Sequence, residues 1–243
     1  MMQVCPALVR EGSRMKQQTA TDRSNVIDLF SGRPIDEVND RIVRISPELD
    51  GLEMLYSNDT SADRLYSLKV VCWALRESGE VVGLVPWLNQ IVPCTEINDP
   101  LNGHWEGYRD PGTNQIFYTP PRHKIMELEL AEEYYHVEHH KDSDIVQEIP
   151  DAIGTHAVLT NNGFRSFVLI EVLSWRLLAD GTVHAMLVDE DKVKSTPVLP
   201  GDTCLYAAQE KAEFKYFFQH RIANKIKEQD PEALAAISML IEN

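Results

Sequence analysis

The stretch "SWRLLADGTVHAML" (Ser174–Leu187) decides how the chain is read, because "CWALRESGEVVGLV" (Cys72–Val85) repeats its skeleton 102 residues earlier. Both run Trp, one residue, Leu, three residues, Gly, one residue, Val. Aligned over Leu68–Val85 and Ile170–Leu187, five positions are identical: Val70 with Val172, Trp73 with Trp175, Leu75 with Leu177, Gly79 with Gly181, and Val81 with Val183. Two apolar runs around a short polar turn form a hairpin signal. Asp180-Gly181 and Ser78-Gly79 fit two-residue loops, whose central residues both take positive φ. Counting outward from such loops predicts Trp175 opposite Met186 and Trp73 opposite Leu84. Cross-strand pairs of this kind contribute up to ~1 kcal/mol each. The repeated Gly and Trp therefore serve turn and packing, and the repeat describes architecture rather than a ligand motif. Its spacing is domain-scale, unlike the ~20–50 residue periods of solenoids.

Outward from the hairpins the strand signals continue. "RIVRIS", "LYSLKVV", "QIVPCTEI", "THAVLT" and "SFVLIEVL" are short apolar runs punctuated by Gly, Pro and Asp. "HKIMELELAEEYYHVEHHKDSD" switches to helix-forming residues. "EFKYFFQHRIANKIKEQ" places Phe214, Phe217, Phe218, Ile222 and Ile226 at helical spacing, and "DPEALAAISMLIEN" opens with Asp230 as N-cap and Pro231 in the first turn. The expected fold is α+β: antiparallel sheets from two related hairpin units, with helices near 124–141 and at the C-terminus over 213–243. Residues 1–24 are polar and unperiodic and read as a disordered tail. Residues 25–35 hold a short apolar island, "NVIDLFSGRPI", too short to be stable alone, which docks on its own domain or serves as a linear motif. Residues 36–243 read as one globular domain with two pseudo-repeated lobes, about 64–141 and 152–228.

Composition narrows the function. A 43% hydrophobic, 25% charged chain buries a core. With 23 Lys and Arg against 38 Asp and Glu, the net charge of −15 disfavours nucleic acid and anionic membrane surfaces as partners. No apolar run approaches the ~18 residues of a membrane span. The first residues lack a secretory signal, and the four cysteines include no CxxC pair. The expected location is the cytoplasm, with reduced thiols.

Three constellations carry chemistry. On a helix, Glu133, His136, His139 and His140 share a face at three- and four-residue spacing, the pattern of a carboxylate and imidazoles around a divalent metal. No second Glu-x-x-His unit and no HExxH accompany them. The turn-rich segment 103–123 offers His104, Trp105, Tyr108, Arg109, Arg122 and His123, a mixture of aromatic and cationic groups suited to a ligand loop. There is no G-x-S-x-G, Walker A or dinucleotide fingerprint. The reading that follows is a non-catalytic interaction or regulatory protein, with a protein partner or a second copy of itself and no cofactor required. The alternatives are a metal-dependent hydrolase or oxygenase built on 133–140, and a small-molecule binder built on 103–123.

Overall fold

The two repeated hairpins sit in matching sheets. The structure, a computed structural model, describes residues 40–57, 65–99, 103–136, 144–161, 166–189 and 204–219. The first unit runs β1 (Ile42–Pro47), β2 (Glu53–Ser57), β3 (Tyr66–Lys69), β4 (Cys72–Arg76), β5 (Val81–Trp87), β6 (Gln90–Pro93), β7 (Asn98–Asp99), β8 (Gly103–Arg109) and β9 (Ile116–Phe117). Helix α1 (Arg122–Tyr135) follows. The second unit runs β10 (Ile145–Pro150), β11 (His156–Asn161), β12 (Ser166–Glu171), β13 (Ser174–Leu178), β14 (Val183–Val188), β15 (Leu205–Ala207) and β16 (Phe214–Phe218). The sheet orders are β1-β4-β5-β6 and β3-β2-β8-β7, with β9 on β8, then β10-β13-β14-β15 and β12-β11-β16. Every pairing is antiparallel.

The correspondence reaches individual residues. Pro47 pairs with Cys72 and Ser46 with Trp73; Pro150 pairs with Ser174 and Ile149 with Trp175. Irregularities fall at the same places, between Ile42 and Arg44 and between Ile145 and Gln147. The same holds for Leu55 and Tyr56 against β8, and for Val158 and Leu159 against β16. Each Trp indole meets the aromatic ring at the matching position of the second sheet: Trp73 on Tyr108 at 4.9 Å between centroids, Trp175 on Phe217 at 5.7 Å.

The strand after each repeated turn sits one residue away from the predicted pairing. Trp73 faces Gly83 and Trp175 faces Ala185, not Leu84 and Met186. The loop has three residues. Gly79 N–H donates to Arg76 O at 3.0 Å and Arg76 N–H to Glu80 O at 2.9 Å; Gly181 and Leu178 repeat both bonds with Leu178 and Thr182. Gly79 (φ +85°) and Gly181 (φ +87°) take the left-handed position, whereas Ser78 and Asp180 do not. A two-residue turn needs positive φ at both central residues; one glycine supports a turn that closes with a bulge. The shift also gives each indole a small partner. A Cβ on Gly83 would lie 2.9 Å from the Tyr108 ring and 3.2 Å from Val70.

The fold is therefore mostly antiparallel β, four small sheets in a propeller-like arrangement with one long helix among the described residues, which corrects the α+β reading. The predicted C-terminal helix fails at its start, because Phe214–Phe218 is strand β16. That strand lies between two cores. Phe214 and Phe217 pack in one cluster, and Tyr216 and Phe218 in the other. Apolar residues on both faces abolish the alternation that marks a strand. The predicted helix near 124–141 is present as α1, ending at Tyr135. The 1–24 tail, the 25–35 island, His139, His140 and residues 220–243 lie outside the described residues.

One core joins the units: Ile45, Cys72 and Leu84 from the first pack with Ile149, Trp175 and Phe217 from the second. Gln147 bridges them, accepting Ile45 N–H at 2.7 Å and donating to Ala131 O at 3.1 Å on α1. Substituting Gly83→Ala is expected to cost about 1–3 kcal/mol by overpacking the Trp73–Tyr108 contact, read as a lower urea midpoint. An unchanged midpoint would show that the two sheets of the first unit do not approach this closely.

Candidate functional site

Helix α1 carries the residues with the most unusual environments. It starts behind Pro121, whose fixed φ suits a helix start. Its inward face is Lys124, Leu128 and Ala131, all buried, with Tyr135 half-buried. These recur at three- and four-residue spacing, as a core-facing stripe does. A lysine heads that stripe. Its side chain is fully buried, and its Nζ lies 2.7 Å from Asp50, 3.2 Å from Glu127 and 3.3 Å from Glu48. Burial alone would depress its pKa, but contact with Asp50 and the fields of Glu48 and Glu127 outweigh it and hold the pKa above its ordinary value of 10.5. In return Lys124, and then His123, hold Asp50 below the usual carboxylate range despite some desolvation.

Glu48, the carboxylate beneath Lys124, is itself saturated. One oxygen accepts the Trp73 indole N–H, and the other accepts the backbone N–H groups of Asp50 and Leu52. The second unit repeats this arrangement with Asp151, which accepts the Trp175 indole at 2.8 Å and the amides of Gly154 and Thr155 at 2.7 and 2.8 Å. Only Glu48 also carries a lysine ammonium among the described residues.

Asp50, His123 and Glu127 also bring one ligand atom each within 4.8 Å of one another. Lys124 Nζ already sits on both carboxylates, so the positive charge that such a cluster attracts is supplied by the helix itself. The sequence-predicted metal residues lie elsewhere. Glu133 is exposed on α1. His136 is the extended residue that ends the helix, bridged to Gln147, so the helical spacing that would stack it on Glu133 stops one residue short.

The six predicted ligand residues divide into two groups. Four belong to β8. His104 Nδ1 contacts Asn98 Oδ1 at 2.8 Å, and Trp105 packs edge-on to Tyr108. Tyr108 is buried, its hydroxyl accepting Gly83 N–H at 2.9 Å, and burial pushes its pKa far up. Arg109 pairs with Glu53. The other two, Arg122 and His123, line an open groove of about 490 Å³ with Leu52, Phe117, Pro120 and Ile125. A second hollow of about 310 Å³, bordered by Val81, Tyr108 and Tyr118, shares Thr119, Pro120 and Ile125 with it. Trp105 and Arg109 line neither.

The feature that loop-based reasoning missed is the outward face of α1. Met126, Leu130 and Tyr134 follow one another at four-residue spacing and are 58%, 54% and 76% exposed. Of nine exposed large hydrophobic side chains among the described residues, six fall within residues 116–134: Ile116, Tyr118, Ile125, Met126, Leu130 and Tyr134. They are concentrated in this stretch of chain, and Met126, Leu130 and Tyr134 share one helix face, unlike singly scattered surface apolar residues. The signal was present in "MELELAEEYY", where apolar residues occupy two helix faces and only one can face the core. No helix among the described residues is long and apolar enough to cross a membrane.

Replacing Lys124 by Met is expected to destabilise the chain by about 3–5 kcal/mol, since it leaves Glu48 buried without its cation. Stability should also depend on pH at both ends. Asp50, with a lowered folded pKa, contributes stability that is present above its unfolded value of about 3.8 and lost as pH falls through the folded value. Lys124, with a raised folded pKa, contributes stability that is present below about 10.5 and lost as pH rises through the folded value. Chemical denaturation of wild type and K124M from pH 3 to 11 checks both. A K124M chain as stable as wild type at neutral pH would show that the ammonium is not buried on Glu48.

The chain matches no family model, and comparisons with curated proteins and with solved structures give no significant match.

Proposed function

We propose that the chain is a non-catalytic interaction protein of the cytoplasm that holds a protein partner on the outward face of α1. The observation that carries this reading is the apolar row Met126–Leu130–Tyr134, exposed on a helix whose opposite face is fixed in the core. A surface helix normally turns polar residues outward; a second apolar row costs solubility unless something covers it. Three features add support. The row sits on a rigid element, because Lys124 anchors the first turn and Gln147 and Arg44 bind the carbonyls of Ala131 and Leu128. Ile125 lines both hollows beside the first turn of the helix and Tyr118 lines one of them, so exposed apolar side chains also occur next to the row. Cys72, Cys94 and Cys204 are buried, unpaired thiols, as suits a reducing compartment.

An exposed row contributes little to folding, so L130S/Y134S is expected to change unfolding free energy by less than about 0.5 kcal/mol. With benzoylphenylalanine at position 130, irradiation of cells that express the chain is expected to give one discrete protein adduct. The same probe at position 171, on the exposed end of β12, is expected to give none. A loss of 2 kcal/mol or more in L130S/Y134S would mean that the row packs against its own chain, and equal adducts from both positions would mean that no partner selects α1.

A further inference from the structure

We infer that the segment received by α1 is a short amphipathic helix with Lys or Arg beside its apolar row; this rests on the docking reading above and specifies the partner's chemistry. The backbone of α1 is internally hydrogen-bonded, so the surface it offers is side chains only. An extended strand laid on it would find no ladder for its own peptide groups, whereas a helix brings its backbone bonds with it. The row advances about 6 Å per step, the spacing of the ridges by which helices interdigitate. With 14 residues, α1 is about 21 Å long and matches an occupant of three to four turns.

Charge sets the rest. At about 100° per residue, Glu133 and Glu129 lie close beside Met126 on one flank, and Glu127 lies beyond Tyr134 on the other. Glu129 and Glu133 are exposed, and Glu132 is exposed while paired with Arg44. From Ile125 to Tyr135 the helix has no Lys or Arg, and its last turn has no basic residue to meet the negative end of the helix dipole. Glu133 in that turn raises the local negative potential further, whereas Glu132 is offset by Arg44. A cationic occupant relieves both, and the chain's net charge of −15 favours its approach. An acidic amphipathic helix would match the apolar row and be repelled by its borders.

The test uses two synthetic 14-residue helices with the same Leu row, one bordered by Lys and one by Glu. The full chain carries 13C-methyl methionine. Met126 reports the surface, and the buried Met54 and Met186 serve as internal references. The Leu/Lys peptide is expected to shift the Met126 methyl signal and leave Met54 and Met186 in place, with a Kd at least tenfold tighter than that of the Leu/Glu peptide by fluorescence anisotropy. E129K/E133K is expected to reverse this preference. E171K/E213K, which changes net charge equally but away from α1, is expected to keep it within threefold. Equal binding of the two peptides, or a reversal produced equally by E171K/E213K, would overturn the charge inference and leave the docking reading standing. If neither peptide moves the Met126 signal, the docking reading itself fails.

Discussion

A carboxylate that accepts an indole N–H is the constraint on which the rest of this structure depends, and it occurs twice, fully buried at Glu48 and half-buried at Asp151. Glu48 and Asp151 each follow the proline that ends the first strand of their unit, and each spends one oxygen on a Trp and the other on two backbone amides. The geometry closes the turn after the strand and ties it to the Trp of the repeated hairpin. A hydrogen bond to a charged group contributes about 1.5–3 kcal/mol, but the larger effect is the cost of leaving such a group unpaired. The Trp, in turn, reaches the aromatic ring of the second sheet, so one contact fixes the turn, the hairpin and the sheet packing together.

Among the differences between the two copies, the cation on Glu48 is the one that creates the surface. Glu48 carries Lys124 above it, and Lys124 is the first residue of the inward stripe of α1. Anchoring the helix by an ion pair at its first turn, with Leu128 and Ala131 in the core behind it, fixes its rotation about its own axis. Once that rotation is set, Met126, Leu130 and Tyr134 have no direction but outward. The exposed row is thus a consequence of the buried lysine, and its rigidity comes from the same source. The Asp50–His123–Glu127 group follows from it too, as the set of polar side chains gathered around an ammonium rather than around an ion from solution.

The hairpin skeleton was legible in the sequence, because the repeated Trp and Gly mark the parts of a hairpin that chemistry constrains most, whereas the α+β class read from it was not the fold. The two hairpins, several of the strands around them and α1 follow from those marks and from hydrophobic periodicity. Three things were not legible. The hairpin register depends on whether one or two turn residues take positive φ, and Ser78 and Asp180 do not declare this locally. Strand β16 is apolar on both faces because it divides two cores, and its Phe spacing imitates a helix. Helix α1 ends at Tyr135 although "HVEHH" continues with helix-compatible residues, since His136 pairs with Gln147 instead. Of the candidate site, loop 103–123 drew the eye by composition, yet most of its aromatic and cationic groups are consumed by β8. The more telling signals were a lysine in the apolar stripe and a second apolar row outside it.

The measurement that tests the paired indole–carboxylate contacts most directly is hydrogen exchange of the indole N–H groups in chain labelled with 15N-tryptophan, followed against denaturant. Trp73 and Trp175 are expected to exchange only through global unfolding, with a denaturant dependence equal to that of the whole chain, and Glu48→Gln is expected to accelerate Trp73 while Trp175 follows only the change in global stability. Exchange of either indole through a denaturant-independent local opening would contradict the account.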